Sequence, residues 1–98
     1  MAAKNTNVSL PMGDWTEITD SDVSAATVDN VGLAEVIIMA TVGAVAPIEG
    51  DNDGIRLASK MGIKSSDTLA DLYPGVSGAT RIYALCRSGD GEVFISHA

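Results

Sequence analysis

The stretch Thr80-Arg-Ile-Tyr-Ala-Leu-Cys-Arg-Ser-Gly-Asp-Gly-Glu-Val-Phe-Ile-Ser-His-Ala98 decides the fold. Ile82, Ala84 and Cys86 share one face of an extended chain, and Tyr83 and Leu85 share the other. Beyond Gly89-Asp-Gly91, Val93 and Ile95 alternate with Glu92, Phe94 and Ser96. Period two on both sides of a Gly-Asp-Gly turn predicts two strands folded about it as a hairpin. The second strand runs to the last residues, so the terminus is expected inside a sheet. A compact all-β unit follows.

Upstream, Glu35-Val-Ile-Ile-Met-Ala-Thr-Val42 is the strongest strand. Val36, Ile38, Ala40 and Val42 form one face, and Ile37, Met39 and Thr41 the other. Both faces are largely apolar, which predicts a central strand covered on both sides. A helix over 33–42 is the competing reading, but β-branched residues cluster there and Gly32 and Gly43 bound a run of strand length. Residues 15–19 and 24–31 read as earlier strands, with Asn30 and Gly32 as a turn or bulge signal. Residues 44–54 carry dense turn residues, and 55–59 and 61–64 read as short strands. Only Ser66-Asp-Thr-Leu-Ala-Asp-Leu-Tyr73 has helical spacing, with Ser66 or Asp67 available as a cap and Pro74-Gly75 as a stop. The expected fold is an antiparallel β-sandwich or jelly-roll-like small barrel over residues 14–98, with at most one short helix near 67–73.

Residues 1–13 are polar and lack a sustained period. They read as an extended N-terminal arm, expected to lie against a neighbouring chain. Lys4, Asn5, Thr6, Asn7, Val8, Ser9 and Leu10 would form the bridging part, with Val8 and Leu10 facing the same side. Trp15, beside the arm, is the candidate contact anchor, since tryptophan is enriched at the centre of binding surfaces.

Composition narrows the function classes. Ninety-eight residues make one domain, and an aromatic fraction of 4% leaves a core of Val, Ile, Leu, Ala and Met. Such a core buries modest area, so a symmetric cluster of chains, a homotrimer by preference, is expected. A net charge of −7 with scattered cations provides no basic footprint for nucleic acid. No apolar run approaches the length of a membrane span, and the first residues lack the apolar segment of a signal peptide.

Candidate chemistry is sparse. His97 is the single histidine, and a catalytic base needs an orienting partner and a nucleophile that the sequence does not supply. Cys86, mid-strand, reads as a small buried apolar residue. Asp51-Asn-Asp-Gly54 crowds oxygen ligands but lacks the spacing of a calcium loop. Asp14, Glu17, Asp20 and Asp22 form an acidic cluster that strand alternation would place on a solvent face. Gly75-Val-Ser-Gly78 lacks the lysine of a phosphate loop. No catalytic residue, cofactor or metal site is expected.

The order Asn30-Val-Gly32, the aliphatic strand through Ala40-Thr-Val-Gly43, Ala46-Pro47, Leu69-Ala-Asp-Leu-Tyr-Pro-Gly-Val-Ser-Gly78, Arg81-Ile-Tyr-Ala84 and Val93-Phe-Ile-Ser96 resembles small all-β structural proteins of tailed bacteriophages. Those are capsid cement or decoration proteins, or head-fibre components. The resemblance spans roughly residues 28–98 and brings with it no active-site residue. It implies a non-enzymatic virion protein on the capsid exterior, assembled in the host cytoplasm, whose partner is the major capsid protein. It would bridge capsid subunits and stabilise them. The alternative it leaves open is a receptor- or glycan-binding module of a head fibre or tail.

Overall fold

The computed structural model describes residues 3–47 and 54–97. Eight strands and one short helix follow in order: β1 (Lys4–Leu10), β2 (Thr16–Glu17), β3 (Thr27–Asn30), β4 (Val36–Thr41), β5 (Ile55–Leu57), β6 (Gly62–Ile63), α1 (Leu69–Leu72), β7 (Arg81–Cys86) and β8 (Gly91–His97). They form two antiparallel four-stranded sheets, β1-β8-β3-β6 and β2-β7-β4-β5, packed face to face. The all-β sandwich expected from the strand spacing is the fold of the chain.

Two expectations need correcting. β7 and β8 are not a hairpin: β7 pairs with β2 and β4, while β8 pairs with β1 and β3 in the opposite sheet. The turn at 87–90 is therefore an arch that carries the chain across the core. Its inward residues face one another, Ile82, Ala84 and Cys86 from one sheet and Val93 and Ile95 from the other, all buried. Gly91 makes the crossing possible, because a Cβ there would lie 2.9 Å from the Cys86 Cβ. The second correction concerns residues 4–10. They pair along their whole length with β8 of the same chain, from Lys4 opposite His97 to Leu10 opposite Gly91. The buried Leu10 and half-buried Val8 are anchored in this chain's own core, which gives a polar segment the apolar contacts it needs to order.

β4 lies between β7 and β5, and both of its faces are covered, as its sequence requires. Val36, Ile38 and Ala40 join the inter-sheet core. Ile37 is also buried, but with Leu85 and Tyr83 it lies on the outer face of that sheet, apart from the main core. The other sheet stays polar outside: Asn5, Asn7, Ser9, Glu92, Ser96, Thr27 and Asp29 alternate outward around a single aromatic, Phe94. The molecule is thus sided. Helix α1 is shorter than its sequence period, and its cap is Thr68, whose side chain accepts from the Asp71 N–H at 3.2 Å.

Candidate functional site

The expected site residues fall in different places. Lys4 to Leu10 form an edge strand, so one row of β1 backbone groups has no strand beside it among the described residues. Trp15 is half-buried ahead of β2 and lines, with Asp14, Ala46 and Pro47, a cavity of about 400 Å³. Its indole Nε1 is buried and has no hydrogen-bond partner among the described residues. No residue of the strand Lys4–Leu10 lines that cavity.

The titratable groups singled out by sequence are engaged in structure. His97, buried opposite Lys4, accepts a hydrogen bond at Nε2 from the Asp20 N–H at 3.2 Å. Asp20 in turn holds Lys4 Nζ at 2.9 Å, and that hydrogen bond keeps its carboxyl below the ordinary aspartate range. Glu17 and Asp22 clasp Arg81 at 2.7 and 2.8 Å, which raises the guanidinium further. Thr19 extends this cluster, donating to Glu17 at 3.1 Å and accepting from the Ile82 N–H at 3.2 Å. Asp14, Asp20 and Asp22 are exposed, as expected of a solvent face, and within the cluster Glu17 and Asp22 tie β2 and the segment after it to β7, while Asp20 ties that segment to β1. Cys86 is fully buried. Asp51 to Asp53 lie outside the described residues. Among those described, no cluster of three His, Cys, Asp or Glu has metal-site geometry, and no helix is long and apolar enough to cross a membrane.

What the sandwich does present is apolar surface at one end. Strands β3 and β7 finish there, and β4 and β8 begin there, because Val36 pairs with Cys86 and Asn30 with Val93. The connecting segments carry Met12, Val31, Leu33 and Met61, all exposed, with Leu33 at 94% of its full accessibility. Leu33 is not on a loose loop. Asn30, fully buried, donates through Nδ2 to the Ala34 carbonyl at 2.8 Å and to the Leu57 carbonyl at 2.9 Å, and its Oδ1 accepts from the Gly32 N–H at 3.0 Å. Ser59 Oγ donates to the Gly32 carbonyl at 2.7 Å, and the Val31 N–H bonds to the Glu92 carbonyl at 3.2 Å. The turn is fixed from three sides.

A preordered loop holding a large aliphatic side chain in water lowers the entropy that binding must overcome. Isolated exposed leucines are ordinary; several apolar side chains at one end on fixed turns are what a docking patch requires. Sequence reading took Asn30 and Gly32 as turn residues and passed over Leu33. The available signal was a leucine inside a turn, between Gly32 and Glu35, at a position no strand face needed. Comparison with family models, with curated proteins and with solved structures finds no match to this chain.

Proposed function

We propose that this chain is a non-enzymatic structural protein of a tailed-phage virion, a decoration protein that binds the exterior of the head and bridges major capsid subunits. The observation that carries the reading is the apolar end: Leu33, Val31, Met61 and Met12 held out on turns that are already ordered. The resemblance over residues 28–98 supplies the context, and the acidic charge favours an outer surface over one facing packaged DNA. Its mechanism is mass action. A protein that binds the assembled shell and not its separated subunits stabilises the shell by RT ln(1 + [L]/Kd) at each site. Clustering of the chain as a trimer belongs to the same proposal, since capsid lattices offer threefold positions.

The test is attachment to shells. Purified chain added to undecorated heads should bind in hundreds of copies per particle, and Leu33→Ser should lower occupancy at matched concentration while the thermal unfolding midpoint stays unchanged. Binding of a few dozen copies or fewer points to a fibre or tail part. Full occupancy by Leu33→Ser removes the apolar end from the mechanism.

A further inference from the structure

The outer face of the β1-β8-β3-β6 sheet holds a second feature, beside the apolar end. Thr27, Asp29, Lys60, Gly62, Lys64 and Phe94 surround a cavity of about 390 Å³. Its floor is the missing side chain of Gly62, which sits opposite Asp29 on β3. A Cβ at Gly62 would come within 2.2 Å of the Val28 carbonyl and 3.0 Å of Asp29 Oδ1, so only glycine fits and the notch is built into the strand pairing. Phe94 stands beside it, opposite Asp29 on the other flank of β3, half-buried among otherwise polar outward side chains. It is the lone aromatic among the outward strand residues of that face.

The cations make the notch distinctive. In a chain of thirteen acids and six cations, Lys4, Arg56 and Arg81 are each held by a carboxylate. Lys60 and Lys64 form no ion pair among the described residues, and both line this one cavity. They precede and follow the short strand β6, so they flank Gly62 by two residues on either side. Lys60 is also the one non-glycine residue with positive φ, at 69°, among those described. A left-handed lysine costs about 1 kcal/mol or more, and such backbone outliers concentrate at binding sites. Its N–H is fixed to the Asn30 carbonyl at 2.9 Å.

We propose that this notch binds a terminal sugar bearing a carboxylate. Each element of such a ligand finds a counterpart. A pyranose ring can lay its C–H face on Phe94, as apolar C–H surfaces do on aromatic rings. Its carboxylate is met by the ammonium groups of Lys60 and Lys64. Its hydroxyls can donate to Asp29, an acceptor already leaning over the notch. Charge argues for a single acidic unit and against a long polyanion. At net −7 the molecule repels extended negative chains, whereas two lysines lining one cavity attract one carboxylate locally. An apolar peptide would leave both lysines and Asp29 without partners.

Titration of the ¹⁵N-labelled chain with the methyl glycosides of glucuronic acid and glucose, with acetate, and with an acetylated Asp-Glu dipeptide amide tests this. Glucuronide should shift the amides of Asp29, Gly62, Ile63 and Phe94 with millimolar affinity, about tenfold more tightly than either glucoside or acetate. Lys64→Gln and Lys60→Asn, the latter chosen because asparagine tolerates the left-handed backbone, should each weaken it severalfold with an unchanged thermal midpoint. Phe94→Leu should weaken glucuronide and leave acetate binding unaltered. The proposal is overturned if glucuronide at about 50 mM leaves these amides unmoved, if acetate binds as tightly as glucuronide, or if the dipeptide binds more tightly than both. Failure here leaves the shell-binding reading intact, since that reading rests on the exposed Leu33, Val31, Met12 and Met61 side chains and is measured on capsids.

Discussion

Asn30 Nδ2 and the Leu57 carbonyl, 2.9 Å apart, join the two sheets of the sandwich. Asn30 closes β3 in one sheet, and Leu57 closes β5 in the other. The same amide also holds the Ala34 carbonyl and the Gly32 N–H, so one buried side chain fixes the turn that carries Leu33 and ties it to the other layer. Asn30→Ala should cost about 3 kcal/mol, because two carbonyls and an N–H lose their partner at a buried position. Asn30→Asp should cost more, since a carboxylate would face two carbonyl oxygens. Urea unfolding measures both; a loss under about 1 kcal/mol for Asn30→Ala would show that water replaces the amide.

The arch at 87–90 predicts a coupling between Gly91 and Cys86. Gly91→Ala should destabilise by about 1–3 kcal/mol through the 2.9 Å approach to the Cys86 Cβ. In the double variant with Cys86→Gly, part of that loss should return as a favourable coupling of about 1 kcal/mol. Strictly additive losses would mean that the two Cβ positions do not oppose each other.

Tyr73 donates its hydroxyl to the Ile38 carbonyl at 2.9 Å, and burial pushes its ionisation well above the ordinary tyrosine range. Tyr73→Phe should cost about 1 kcal/mol. The raised value also fixes the sign of an alkaline effect. Its contribution is fully present below the unfolded tyrosine range and is lost as pH rises above it, because only the unfolded chain ionises there readily. Ultraviolet titration should show one tyrosine ionising together with unfolding and not before it.

Asp20 gives the acid counterpart. Its carboxyl is lowered first by the hydrogen bond from Lys4, so the pair's stabilisation is present above the ordinary aspartate range and lost as pH falls through the lowered value. The pair is open to solvent and its effect on stability is small. Carboxyl-detected NMR should show the Asp20 titration moving upward in Lys4→Met. An unmoved midpoint would mean that Lys4 does not hold Asp20 in solution.

Removing residues 1–10 should damage the fold and not merely detach an arm. The truncation uncovers the β8 edge and takes away Leu10, which is 1% exposed. Circular dichroism and thermal unfolding of the shortened chain should show a lower midpoint or a loss of strand signal. An unchanged midpoint would mean that β1 adds nothing to the domain.

The sheet class and β4 were legible because their cause is local. Two apolar faces in one strand demand two covers, whatever the topology. Helix α1 was legible from Leu69, Leu72 and Tyr73, although its cap proved to be Thr68. The arch was not legible, since a hairpin and an arch place the same alternate residues inward and differ only in which partner they meet. β1 was hidden for another reason. Its inward positions include Lys4 and Thr6, so only Val8 and Leu10 mark the buried side. The candidate sites lay beyond the sequence pattern: Leu33 matters through the turn that Asn30 holds, and Lys60 and Lys64 through the one cavity that both line.

The placement of β8 sets an order of assembly. In its sheet no strand pairs with a neighbour in sequence: β1 waits for β8, β3 waits for β6 and β8, and β8 is the meeting point of two of the three pairings. That sheet therefore cannot close until residues 91–97 arrive. Closing it brings together segments separated by most of the chain, the slow class of folding problem, in which loop closure precedes the contacts that reward it. Until then Val28, Leu10 and the inner face of β4 stay uncovered. A chain of this topology matures late, and its greatest exposure to misassociation comes just before its last strand docks.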